Sequence, residues 1–128
     1  MPYVATLNES DLKFGQQVTE QLKAHGVSFD GVFWLYDEDA DDWRLVIATS
    51  LVDQVGWKET YLRLAQIVST VPRSDLQVMG ITAMSLQTPL FAALRKAFAT
   101  AAHVEGTRLQ HTTVNGVLVP AAYLYEIR

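Results

Sequence analysis

Residues 31–52, GVFWLYDEDADDWRLVIATSLV, set two runs of aromatic and branched side chains on either side of five carboxylates packed into the six positions 37–42. Runs of that kind are strand formers, and a short polar break between two of them predicts an antiparallel hairpin. If Tyr36 stands opposite Trp43, the pleat puts Val32, Trp34, Tyr36, Trp43, Leu45 and Ile47 on one face. Phe33, Leu35, Arg44, Val46 and Ala48 then fall on the other. Both faces are largely apolar, so the hairpin is expected to be covered on two sides. A second subunit is one candidate for a cover, which makes Phe33, Leu35, Arg44 and Val46 the candidate interface residues.

On the N-terminal side, TLNESDLKFGQQVTEQLKAHG reads as a helix that Thr6 with Glu9, or Asn8 with Asp11, can cap, and that Gly26 stops. Its stripe of Leu12, Val18 and Leu22 is modest, so the helix is expected to lie across a sheet. On the C-terminal side, Trp57, Tyr61, Leu64 and Val68 recur at helical spacing from Gly56 onward, and Pro72 ends that helix. LQVMGITAM follows as a short single strand. Thr88-Pro89 offers a cap and a first-turn proline for a third helix, with Leu90, Leu94, Ala97 and Ala101 as its stripe, Phe91 and Phe98 beside it, and Gly106 as its stop.

The chain closes with TRLQHTTVNGVLVPAAYLYEIR, a second hairpin turning at Asn115-Gly116. Pairing Val114 with Val117 predicts one core face of Val117, Val119, Ala121, Tyr123, Tyr125 and Ile127. Pro120 lacks the N–H of a central strand and marks either an edge or a bulge. The sum is a single α+β domain over residues 1–128, with about five mainly antiparallel strands, in two hairpins and a single strand, covered by three helices.

Chemistry is sparse. An EF-hand loop needs oxygen ligands at its first, third, fifth and twelfth positions and glycine at the sixth. Asp37, Asp39 and Asp41 fit the first three, but the sixth position is Asp42 and the twelfth is Ala48, so the acidic run is read as a solvated turn and no metal site is expected. His25 and His103 fall at predicted helix C-termini, where a donor suits the last carbonyls. His111 lies on a strand within reach of Arg108, and these two with Tyr123 form the candidate binding pocket. No phosphate loop, dinucleotide turn, nucleophile elbow, zinc motif or nuclease carboxylate pattern occurs, so no catalytic residue is assigned and no cofactor is expected.

The stretch FWLYDEDADDWRLVIATSLVDQVG followed by KETY, with the closing VNGVLVPAAYLYEIR, resembles a pattern in small uncharacterised bacterial proteins. The resemblance implies a stand-alone bacterial domain and brings no activity and no site residue with it.

At 128 residues, 49% hydrophobic and 19% charged, the composition suits one globular core. The absence of cysteine excludes disulfides and thiolate chemistry. The start MPYVATLNESDL has no leader pattern and no apolar run is long enough to span a bilayer, so a cytoplasmic protein without a membrane partner is expected. A formal charge of -4 with scattered basic residues makes nucleic acid an unfavourable partner. The expected function is a noncatalytic interaction or accessory protein that self-associates through the apolar hairpin. The alternative is a small-molecule binder or modest hydrolase with a pocket between sheet and helices.

Overall fold

The computed structural model describes residues 7–72, 81–99 and 104–128. Helix α1 spans Glu9–Ala24, and both of its ends are built from sequence signals. The Asp11 amide donates to Asn8 Oδ1 at 2.8 Å and the Asn8 amide to Asp11 Oδ2 at 3.1 Å, a reciprocal capping box. Thr6, the alternative cap, lies outside the described residues. At the other end Gly26, with φ of 67°, lets its own N–H reach the Lys23 carbonyl and that of Val27 reach Leu22, a Schellman stop. His25 is the C-cap residue. His103 and Ala101 lie outside the described residues.

Strands β1 (Gly31–Asp37) and β2 (Asp42–Ala48) pair with Tyr36 opposite Trp43, the register read from the sequence. Five strands form one sheet in the order β3-β2-β1-β5-β4, where β3 is Ile81–Met84, β4 Thr107–Val114 and β5 Val117–Ile127. Residues 76–80 of the expected single strand lie outside the described residues. The sheet is mixed, which corrects the expectation of mainly antiparallel hairpins: β3 runs parallel to β2. The cause is α2 (Leu51–Val68), whose 18 residues carry the chain back to the end of the sheet where β2 began.

Helix α2 begins at Leu51, before the expected start at Gly56. Gly56 sits inside it at φ 84° and ψ 171°, a conformation open to glycine, and breaks it into two segments. The break turns Trp57 out to 53% exposure, although Leu64 and Val68 of the same expected stripe are buried. Helix α3 (Pro89–Phe98) starts with its proline in the first turn, but the Thr88 side chain makes no cap bond. It ends well before Gly106, and its buried face is Phe91, Ala93 and Leu94; Ala97 is exposed.

Two cores result. Helices α1 and α2 close over Val32, Trp34, Leu45 and Ile47, while α3 closes over Phe33, Val46, Ala48 and Leu124. Both covers of the first hairpin therefore come from the chain itself. Phe33 and Val46 are fully buried under α3, and Leu35 packs beside them, so this face offers little surface to a second subunit.

Strand β5 departs from the single face expected of it. Val117, Val119 and Ile127 belong to the α3 core, but Tyr123 and Tyr125 belong to the α1–α2 core. Two irregularities cause the switches. His111, at φ of 44°, and the opposed Pro120 drop out of the β4–β5 ladder, and Pro120 also lies beyond the end of the β1–β5 ladder, where its missing N–H is harmless. A bulge opposite Val32 and Phe33 then puts Tyr125 and Glu126 side by side on the α1 face.

Tyr125 uses that position fully. Its hydroxyl donates to the Leu12 carbonyl of α1 at 2.6 Å and accepts from Trp34 Nε1 of β1 at 3.0 Å. A Cβ at Gly15 would overlap its ring and hydroxyl, so the glycine is what lets α1 approach. Gly15→Ala is expected to destabilise the fold by roughly 1–3 kcal/mol through overpacking. Tyr125→Phe is expected to cost a comparable amount, roughly 1–3 kcal/mol, because the buried Trp34 N–H loses its acceptor. Denaturant unfolding of both variants checks this, and wild-type midpoints would contradict it.

Candidate functional site

The acidic hairpin tip is occupied by its own bonds. Asp37 Oδ1 accepts from the amides of Asp39 at 3.0 Å and Ala40 at 3.2 Å, the geometry of an Asx turn, and Oδ2 pairs with Arg44 Nε at 3.1 Å. Asp41 takes the left-handed conformation and accepts from the Tyr36 hydroxyl, and Asp42 Oδ1 accepts from the Trp43 amide at 2.8 Å. The Ala40 amide and then Arg44 hold the Asp37 carboxyl below its ordinary range. The bond to Asp41 pushes the Tyr36 hydroxyl up to about 12. These carboxylates shape a turn, and among the described residues no group of three or more His, Asp or Glu could hold a metal ion.

The residues expected to line a pocket are only partly brought together. The Arg108 guanidinium lies 5.0 Å from the Tyr123 ring centre, across the β4–β5 ladder, and Tyr123 meets the edge of Tyr125 at 5.2 Å. His111 is exposed at the ladder interruption, three residues further along β4. The Arg108–Tyr123 contact is a surface cation–π pair worth about 0.5–1 kcal/mol.

A cleft of about 140 Å³ lies instead between α1 and β5, lined among others by Thr19, Glu20, Lys23, Glu105, Tyr125 and Glu126. Burial would raise the Glu126 carboxyl, but Lys23 at 2.9 Å and Arg128 at 2.7 Å outweigh it and hold the group below its ordinary range. Thr19 Oγ1 donates to the Gly15 carbonyl at 2.8 Å. The Thr19, Glu126 and Tyr125 side chains of this cleft are therefore bonded within the protein.

The strand edges are guarded as well. The Ala83 amide of edge strand β3 donates to the Tyr61 hydroxyl at 3.0 Å. On β4, the other edge, the Thr112 hydroxyl donates to the Gln110 carbonyl at 3.0 Å, and the kink at His111 interrupts the strand. Both are ways of blocking strand addition. What remains outward and apolar on α2 is Val55, Trp57 and Leu62, at 39%, 53% and 52% exposure, with Trp57 stacked on Tyr61 at 6.3 Å. Helical spacing counted Trp57 into the core and could not show this surface. The signal was Gly56, which read as a helix start and is a break.

The chain matches no known family model, no curated protein and no solved structure.

Because the folded Asp37 carboxyl is lowered, its stabilisation is fully present above its ordinary value of 3.8 and is lost as pH falls through the lower folded value. Asp37→Asn keeps the turn acceptor and loses the charge, so it is expected to melt below wild type at neutral pH. The difference should close on acidification, and a gap that widens as pH falls would contradict the assignment.

Proposed function

We propose that this protein is a noncatalytic cytoplasmic interaction protein, an accessory factor that works as a homodimer joined through α2 around Trp57. The observation that carries this reading is the outward turn of Val55 and Trp57 at the Gly56 break, with Leu62 further along the same helix. Large apolar and aromatic side chains held in water on a fixed element are the usual anchors of an interface. Two further features favour α2 over other surfaces. The edges of the sheet carry side-chain and backbone devices against strand pairing, and the Phe33–Val46 face is occupied by α3. Among the described residues the other exposed large hydrophobic is Leu118 on β5, which stands alone, whereas α2 carries three.

The reading of no catalysis draws on Asp37, Asp41 and Asp42 being engaged in their own turn. Among the described residues no helix is long and apolar enough to cross a membrane. The alternative of a small-molecule binder is favoured by the α1–β5 cleft rather than by His111, Arg108 and Tyr123 together.

Light scattering coupled to size exclusion tests the dimer. Wild type is expected at twice 14.3 kDa, and Trp57→Glu at the single-chain mass and still cooperatively folded, melting at the concentration-independent temperature of the lone chain, while the wild-type melting temperature rises with protein concentration. Phe33→Glu should instead lose the fold, since it puts a charge under α3. A wild type that runs as a single chain at tens of micromolar would end the dimer reading.

A further inference from the structure

We infer that Asn115-Gly116 is a site of spontaneous covalent modification, in which deamidation of Asn115 releases the second hairpin from α3. The two residues form the loop between Val114 and Val117, both have positive φ, at 45° and 81°, and both are exposed. In a two-residue loop the N–H that closes the turn belongs to the residue after it, here Val117, so the Gly116 nitrogen is left outside that bond. Glycine adds no Cβ to shield this nitrogen, and nothing lies within 4 Å of the place where one would be. The Gly116 nitrogen attacks Asn115 Cγ, the bond from Cγ to Nδ2 breaks, and Nδ2 leaves as ammonia with the proton from Gly116. Water then opens the succinimide at either carbonyl to give aspartate or isoaspartate. One water is consumed, one ammonia is released, and no oxidant or reductant is needed.

Two comparable positions in the chain are protected. Asn8, the other asparagine, precedes Glu9 rather than glycine, and its Oδ1 is held by the Asp11 amide at 2.8 Å. Asp30-Gly31 could close the same ring, but Gly31 is buried in β1, where a Cβ would meet the Phe91 ring at 2.6 Å, and Asp30 is paired with Arg95. The chemistry is thus confined to one turn.

That turn has a structural duty. Asn115 Nδ2 donates to the Ala93 carbonyl of α3 at 3.2 Å, the long end of the hydrogen-bond range and a weak restraint on side-chain rotation. A carboxylate in its place has no proton to donate and sets two acceptors against each other. Isoaspartate adds a backbone carbon inside the shortest hairpin loop, which works against the pairing of Val114 with Val117. Both products weaken the seat of α3 on the sheet.

The full-length protein, held at body temperature and mildly alkaline pH for several weeks, is digested and mapped by mass, with isoaspartate measured by enzymatic methylation. The expected result is amide-to-acid conversion with isoaspartate at residue 115, several-fold faster than any conversion at Asn8. Equal rates at the two asparagines, or none at 115, would overturn the site. Asn115→Asp, made directly, is expected to melt roughly 3–5 °C below wild type, as the loss of one hydrogen bond predicts for a chain of this size. A melting temperature equal to wild type would overturn the coupling to α3.

Discussion

The hydroxyl of Tyr125 is the contact on which the α1 side of the molecule depends. It joins three elements at one oxygen: the β5 strand that carries it, the Trp34 indole of β1 and the Leu12 carbonyl of α1. Burial pushes this hydroxyl above its usual range, so it stays protonated and keeps donating. The arrangement needs a strand that turns its tyrosine toward α1, and the bulge opposite Val32 and Phe33 supplies it. It also needs a helix with no side chain at the point of approach, which is Gly15. Glu126, presented by the same bulge, adds the Lys23 bridge beside it.

Around this contact the sheet divides the apolar side chains between two covers of unequal build. Two helices close one face and α3 alone closes the other. Arg95 anchors α3 at its C-terminal end through Asp30 and the Arg128 carbonyl, and Asn115 ties it to the hairpin turn. The shorter cover is thus tied down at both of its margins by polar contacts as well as by its apolar face. The same economy of partners holds at the acidic tip, where Asp37 and Asp42 bond backbone amides and Asp41 takes the Tyr36 hydroxyl. These bonds to neighbouring amides and to the Tyr36 hydroxyl are what shape the most acidic stretch into a turn.

Several local signals were reliable because the interaction concerned spans a few residues, although the Thr88 cap makes no bond and Gly56 breaks a helix it was expected to start. The Asn8–Asp11 box, the Gly26 stop, the Tyr36–Trp43 register and the Asn115-Gly116 turn are each decided within a handful of positions, by capping geometry or by the pleat. The candidate site was less legible. Arg108 and Tyr123 meet because they are ladder partners, a relation set by the turn, but His111 parts from them because one left-handed residue ends the alternation.

By itself, then, the sequence determined three helices, the two hairpins and the α+β class, since periodicity and turn chemistry act along the chain. Only the tertiary structure decided that β3 runs parallel to β2, that the Phe33–Val46 face is roofed by α3, and that Trp57 stands in water. Each of these depends on where a distant element packs. Alternation along a strand specifies two faces, but it does not specify which helix covers either of them, nor where a bulge will exchange them.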